Sequence, residues 1–340
     1  MKKYSLIFIV LFIFNGCSKE SINWYNGNLD DAVKINNDKL IMIDFYTDWW
    51  YACGLLDAKT FTDDTVVNYL NQNYINLKID AETNYGNQLF EEYNGSGFPL
   101  ILFLDSYKNE VDRFYGYLDS KVFLEKITEV KNGKNTFPIL QAQYEKGDNS
   151  AETMSKLAGK YSERGDDSTA AILYKSVIQS KNLSSKMFFE AKYFLSCLEL
   201  SKNNYDSLQN YINKYPDSPF TKEAVNKLLK YFKSQNSIDM EITYFDKYID
   251  IYSDDPWFLN QFAWRMTELE KNLDKALEKI NHAINIADEN TNGIANIIDT
   301  KAEVLWKLGK NEMAIETIEE AILLEPDNSY YQKQKNKFIN

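Results

Sequence analysis

The chain of 340 residues is too long for one small core and predicts two domains, or one domain followed by a repeat array. Hydrophobic residues make up 44% of the chain and aromatic residues 15%, which excludes a disordered protein, because such proteins are poor in both. The formal net charge of -12 argues against nucleic acid as a partner, since an acidic surface repels phosphate.

The N-terminus has the pattern of an export signal. Two lysines precede an apolar run over residues 6–14, and the chain turns polar after Cys17. The run is about half as long as the roughly 20 apolar residues of a membrane-spanning helix, so residues 1–16 are predicted to be a signal peptide. The ending Asn15-Gly16-Cys17 resembles a bacterial lipoprotein box, which implies a lipid on Cys17 and a membrane anchor. Because Phe14 and Asn15 depart from that box, secretion without lipid is the alternative.

The next segment alternates between strand-like and helix-like patterns. Apolar runs predict buried strands at Lys39–Phe45, Tyr74–Asp80 and Leu100–Leu104, and amphipathic patterns predict helices at Thr65–Asn71, Asn87–Tyr93 and Val122–Val130. With one more strand before the last helix, the order is strand, helix, strand, helix, strand, strand, helix. We therefore expect a tether over residues 17–22 and an α/β domain over residues 23–131.

Two motifs in this domain carry a family resemblance. The segment from Asp44 to Trp49, followed by Cys53, and the later run Gly97-Phe98-Pro99-Leu100 together resemble the thioredoxin family, especially its bacterial periplasmic thiol-transfer branch. The resemblance implies a thioredoxin fold. It also implies a cis-proline at Pro99 that faces the redox motif and helps to shape the substrate groove.

The redox motif itself is altered. The family uses Cys-x-x-Cys at a helix N-terminus, where the first thiol is the nucleophile. Here the four residues are Trp50-Tyr51-Ala52-Cys53, and the flanking segments need no gap, so Trp50 occupies the nucleophile position. Disulfide exchange needs one thiolate to attack and a second thiol to release the mixed disulfide. The two-cysteine cycle is therefore predicted to be lost.

Cys53, Asp44 and Pro99 are the candidates for a residual redox site. Asp44 matches the buried aspartate that, in the family, exchanges a proton with the second cysteine. That second cysteine is sheltered, and burial raises the pKa of a thiol, which favours Cys53 as an inherited core residue. A redox role for Cys53 is the alternative, and the retention of Asp44 supports it.

Four aromatic residues beside Pro99 are candidates for peptide binding. They are Trp49, Trp50, Tyr51 and Phe98. In the family, the groove at this place contacts extended peptide backbone. Aromatic side chains with a polar edge are favoured at recognition surfaces but are also ordinary core residues, and the sequence leaves both interpretations open.

The strand pattern ends after residue 131, and the remainder predicts amphipathic helices. The clearest unit, residues 295–328, places small residues such as Ala302 and Ala314 where two helices cross and Gly309 at the turn between them. It resembles the tetratricopeptide repeat, a helix pair of about 34 residues. We expect a linker with a leading helix over residues 132–150, then five helix pairs and a closing helix at Ser329–Ile339, over residues 151–340.

These patterns predict a thioredoxin-like α/β domain followed by an all-α tetratricopeptide-repeat superhelix. Such arrays chiefly bind peptides or proteins. His282 has no cysteine or carboxylate partner at ligand spacing, so no metal and no cofactor are expected. Cys197 is expected in a helix contact, and a bridge between Cys53 and Cys197 is not expected.

The leading hypothesis is a lipid-anchored adaptor of the cell envelope, facing the periplasm or the cell surface. Its expected partners are envelope proteins or peptides, together with the membrane that its lipid enters. The alternative is a thiol-disulfide oxidoreductase, or a redox protein with one reactive thiol, that acts through Cys53.

Overall fold

The computed structural model describes residues 20–35, 39–287 and 293–339. The predicted signal peptide and Cys17 lie outside these residues. The chain divides into two compact units between Phe220 and Thr221. In the described residues, no helix combines the length and the apolar character that a bilayer crossing requires.

A mixed sheet forms the centre of the first unit. Its strands within the described residues are β1 (Leu40–Tyr46), β2 (Tyr74–Asp80), β3 (Leu100–Leu104) and β4 (Glu110–Tyr115), in the order β2-β1-β3-β4. β1 pairs with β2 in parallel, whereas the β1–β3 and β3–β4 pairs are antiparallel. Alternate residues of β1 and β3 enter two separate hydrophobic clusters, which is why both strands read as continuous apolar runs.

Five helices of the described residues pack around this sheet. They are α1 (Leu29–Lys34), α2 (Tyr51–Leu55), which continues into the π-helical turn Leu56–Thr60, α3 (Asp64–Asn73), α4 (Asn84–Glu92) and α5 (Ser120–Lys131). The predicted helices correspond to α3, α4 and α5, but each begins earlier than its apolar pattern. The reason is capping: the side chains of Asp63, Thr83 and Asp119 accept hydrogen bonds from the first-turn amides.

The rest of the described chain is helical. A leading helix α6 (Phe137–Glu145) is followed by α7 (Ala151–Ser162), α8 (Asp167–Ile178), α9 (Ser185–Leu200) and α10 (Asp206–Lys214) in the first unit. The second unit contains α11 (Thr221–Ser234), α12 (Ile238–Tyr248), α13 (Pro256–Leu269), α14 (Leu273–Ile286), α15 (Ile294–Lys307), α16 (Asn311–Leu324) and α17 (Ser329–Ile339). In the part of the chain that the structure describes, α7 to α16 form five successive pairs, and α17 follows them.

Small residues lie where the paired helices cross. Ala302 of α15 and Ala314 of α16 are fully buried, and both belong to one cluster with Tyr331 and Phe338 of α17. A methyl group permits close approach of two helix backbones, and the large rings of α17 then fill the space at the end of the last pair. The closing helix thereby covers an apolar face that another repeat would otherwise bury.

Within the first unit, α7 is joined to β4 by one buried and one partly buried ion pair. Lys160 Nζ lies 2.7 Å from Asp112 Oδ2, and Arg164 Nη2 lies 2.5 Å from Glu110 Oε1. The guanidinium of Arg164 also stacks 4.0 Å from the ring centre of Phe137 in the leading helix. The first repeat helix is therefore attached to the edge strand of the sheet by specific charged contacts.

Candidate functional site

The altered redox motif lies where β1 ends and α2 begins. Trp50 precedes the first residue of α2, and its carbonyl oxygen accepts a hydrogen bond from the Cys53 amide at 2.9 Å. The Cys53 side chain is buried, whereas the Trp50 side chain is 44% exposed. The first of the four residues 50–53 therefore presents an indole to solvent, and the cysteine at the fourth is buried.

Neither of the described cysteines, Cys53 and Cys197, forms a disulfide. Burial raises the pKa of the Cys53 thiol, and the nearby charge of Asp44 raises it further, while a hydrogen bond with the Thr47 backbone opposes them. A thiol with a raised pKa is protonated at neutral pH and is a poor nucleophile. This environment does not activate Cys53 for attack on a disulfide.

Asp44 lies within β1 and is almost completely buried. Its Oδ2 atom is 3.4 Å from Lys78 Nζ, whereas its Oδ1 atom is buried without a hydrogen-bond donor. Burial raises the pKa of Asp44 to about 6, and Asp57 adds to that effect, although the Lys78 ammonium opposes it. The site therefore holds a carboxyl group that titrates near neutral pH.

Lys78 is a member of this site that the sequence prediction missed. The parallel register places Lys78 directly opposite Asp44, and its ammonium also pairs with Asp57 of the π-helical turn. The ammonium lies 4.7 Å from the ring centre of Tyr46 and 5.6 Å from that of Trp24. The sequence signal for Lys78 was a lysine within a strand predicted to be buried, because a buried ammonium requires a negatively charged or hydrogen-bonding partner.

The predicted cis-proline is present. The Phe98–Pro99 peptide bond is cis, and Pro99 directly precedes β3. Phe98 is partly buried and stacks on Phe90 of α4, with ring centres 4.7 Å apart. One face of the Phe98 ring is therefore covered by Phe90.

The structure places the remaining aromatic candidates on the surface. Trp49, Trp50 and Tyr51 are 62%, 44% and 58% exposed, so they are not core residues. The two indoles meet edge to face with centres 5.5 Å apart, and the Trp49 Nε1–H group donates to Glu82 Oε1 at 2.9 Å. We call these three residues the aromatic face.

The described residues contain no cluster of histidine, cysteine and carboxylate side chains that is suited to holding a metal ion. His282 lies on α14, as the repeat pattern indicated.

A sequence profile described as thioredoxin-like matches residues 23–106. The match includes β1, the altered motif and the cis-proline. The N-terminal region is a thioredoxin-like domain. The predicted order, a thioredoxin-like α/β domain followed by a long all-helical region, is thereby confirmed.

Known proteins are similar to parts of the chain. The thiol:disulfide interchange protein DsbD of Yersinia pestis (strain Pestoides F) is 37% identical over 91 residues, which cover 26% of this chain and 15% of that protein. The solved oxidised C-terminal domain of Neisseria meningitidis DsbD is 25% identical, with a TM-score of 0.27, and covers 29% of this chain and 87% of that one. A tetratricopeptide-repeat protein described as having an unusual peptide-binding site is 17% identical, with a TM-score of 0.41 and coverage of 58% and 97%.

The matched segments cover only part of this chain and only part of the Yersinia relative. The matched segment spans less than a fifth of the Yersinia relative, so most of that protein has no counterpart in the alignment. The helical region of the present chain lies beyond the residues that the thioredoxin-like profile matches.

Proposed function

We propose that this chain is an exported, lipid-anchored adaptor whose thioredoxin-like domain binds partners without transferring disulfides. The observation that carries the proposal is the replacement of the exposed thiol by Trp50, with Cys53 buried behind it. A two-thiol exchange cycle has no attacking group in such a site. The aromatic face and the repeated helix pairs supply surfaces for binding instead.

The anchor belongs to the same proposal. An apolar leader followed by Cys17 supports lipidation of that residue, and a tether over residues 17–22 would then connect the lipid to the domain over residues 23–131. The repeats over residues 151–340, after the linker at 132–150, would face the envelope partners. Expression of the full chain with labelled palmitate tests this: we expect label in the wild type and none in Cys17→Ser, which should appear in the soluble fraction.

A variant in which Cys53 is the single cysteine tests whether the chain lacks thiol-disulfide exchange activity. The chain contains three cysteines, so Cys17→Ser combined with Cys197→Ser leaves Cys53 alone. We expect no reaction with an aromatic disulfide reagent in the folded state and one equivalent after unfolding in urea. The unmodified chain should not accelerate the reduction of insulin by dithiothreitol. Turnover of insulin at a rate above that of the Cys53→Ser variant would overturn the proposal.

One observation favours a redox protein with a single reactive thiol as the second candidate. Asp44 lies close enough to influence the Cys53 thiol, and its own pKa of about 6 suits it to accept a proton near neutral pH. This candidate predicts that native Cys53 is labelled and that Asp44→Asn slows the labelling. It also predicts mixed disulfides between Cys53 and envelope proteins on non-reducing gels, which the adaptor proposal excludes.

A further inference from the structure

The aromatic face is bordered by carboxylates. Glu82 accepts the hydrogen bond of the Trp49 indole, and Asp48 directly precedes that residue and is exposed. The register of β1 and β2 places Asp80 opposite Tyr46, at the end of the strand pair from which the aromatic face continues. Three acidic side chains therefore come from two different segments to the same end of the sheet.

The phenol of Tyr46 lies near two of these charges. Burial raises the pKa of Tyr46, and the charges of Asp80 and Asp48 raise it further. Lys78 approaches the same ring, and its ammonium pairs with the buried Asp44 and with the exposed Asp57. The ammonium of Lys78 is thus already paired with Asp44 and Asp57, whereas Asp48, Asp80 and Glu82 lie at the end of the sheet that carries the aromatic face.

We propose that the aromatic face binds an extended, positively charged segment of a partner protein. This inference rests on the binding function proposed above. An Arg or Lys side chain of that segment lies against the Trp50 and Trp49 rings, and Asp48, Asp80 and Glu82 surround its charge. The electron-rich face of an indole attracts a cation more strongly than other aromatic rings do. The site that lost a thiol nucleophile has thereby gained the features of a cation-binding surface.

Charge complementarity selects this occupant. An acidic segment would be repelled by the bordering carboxylates, and a purely apolar one would bring no positive charge to balance theirs. The indole N–H of Trp49 is already directed to Glu82, which orients its ring next to that of Trp50 before any ligand arrives. Such preorganisation lowers the entropy lost on binding.

Calorimetric titration of the full chain tests the proposal. Three synthetic peptides of equal length, on the same Gly-Ser scaffold, would carry two Arg, two Gln or two Glu residues. We expect the Arg peptide to bind, with an affinity that falls as salt is raised, because exposed charges are screened. The Gln peptide should bind at least about fivefold more weakly, and the Glu peptide should not bind.

Variants locate the site. Trp50→Leu should weaken the Arg peptide about fivefold by removing the aromatic partner, and Glu82→Gln should weaken it about two- to fivefold. Tyr107→Leu is the aromatic control, because Tyr107 is 83% exposed but follows β3 at the opposite end of the sheet. Glu125→Gln, on the exposed side of α5, is the charge control. Both control variants should bind like the wild type.

Three results would overturn the proposal. They are equal binding of the Arg and Gln peptides, no binding of any peptide, and loss of binding in the control variants to the same degree as in Trp50→Leu. None of them bears on the absence of disulfide exchange, which the insulin and thiol-labelling assays measure separately. Conversely, catalysed reduction of insulin would contradict the proposed function, whether or not the peptides bind.

Discussion

The Lys78 ammonium lies 3.4 Å from the Asp44 carboxylate, across two strands that pair these residues directly. Only the Oδ2 atom of Asp44 makes this contact, since its Oδ1 atom is buried without a hydrogen-bond donor. A buried carboxylate that is only partly paired destabilises the folded state. An ammonium and a partly paired carboxyl group therefore lie together beside residues 50–53.

Asp44 makes stability depend on pH. Its pKa of about 6 in the folded state exceeds the ordinary value of 3.8, so between these values the folded chain holds a proton that the unfolded chain has released. The free energy of unfolding should consequently fall as pH rises from about 4 to about 6. Asp44→Asn should remove this fall and be more stable at pH 7.5 by up to about 3 kcal/mol. Urea denaturation read by hydrogen exchange in β1 and β2 measures both effects.

Asp30→Asn is the matched control. Asp30 is exposed and pairs with Lys108, which lowers the pKa of its carboxyl group, so its replacement should give no gain in stability at pH 7.5. A pH profile of Asp44→Asn that ran parallel to that of the wild type would show that Asp44 does not titrate in this window.

Restoring the missing thiol should restore disulfide chemistry. The hydrogen bond from the Cys53 amide to the Trp50 carbonyl places the two residues one helical turn apart, and the cis-proline is still in place. In Trp50→Cys we expect a disulfide with Cys53 after oxidation, seen as the loss of two hydrogen atoms by mass spectrometry. Insulin reduction should appear with it.

Two controls separate the thiol from the loss of the indole. Trp50→Ala removes the ring without adding sulfur, and Trp50→Cys combined with Cys53→Ser adds one thiol without its partner. Neither should reduce insulin catalytically. If Trp50→Cys formed no intramolecular disulfide, the alignment of position 50 with the lost nucleophile would be wrong.

The sequence predicted the elements of this fold better than the contacts between them. Apolar runs located β1 and β3 to within one residue, because strands buried on both faces leave an unbroken signal. The partnership of Asp44 with Lys78 could not be predicted, since it depends on the register between strands far apart in the chain. Exposure of Trp49 was likewise undecided, because aromatic residues are common in cores and on binding surfaces alike.

The attachment of α7 to β4 depends on a buried charge pair. Lys160 and Asp112 are both buried, with 2.7 Å between the ammonium and carboxylate. Lys160→Met leaves Asp112 without its main partner, which should destabilise the first unit by about 3 to 5 kcal/mol. Hydrogen exchange should then increase in both α7 and β4, because the pair joins these elements.

Lys156→Met provides the comparison on the same helix. Its pairing with Glu152 is exposed to solvent, so the change should cost less than about 1 kcal/mol. Combining Lys160→Met with Asp112→Leu should recover part of the lost stability, since the buried Asp112 charge that Lys160 paired with is then removed as well. A loss for Lys160→Met no larger than that for Lys156→Met would show that the buried pair does not stabilise this junction.

Two glycines near the aromatic face should respond to alanine in opposite directions. A Cβ atom on Gly86 would lie 1.9 Å from the Asp80 carbonyl oxygen, so the backbone between β2 and α4 must shift. We expect Gly86→Ala to destabilise the chain by about 3 kcal/mol. A Cβ atom on Gly54 meets nothing within 4 Å, and Gly54 lies inside α2, so Gly54→Ala should stabilise by about 0.5 to 1 kcal/mol. Thermal denaturation of the two variants gives the comparison.

The same pair of variants connects the fold to the proposed binding surface. Glu82 lies between Asp80 and the start of α4, so the backbone shift in Gly86→Ala should displace the carboxylate that holds the Trp49 indole. The Arg peptide should consequently bind more weakly to Gly86→Ala, at a temperature where the variant is still folded, and normally to Gly54→Ala. Equal melting temperatures of the two variants would contradict the close approach at Gly86. Unchanged peptide binding in a destabilised Gly86→Ala would show that the position of Glu82 does not depend on this turn.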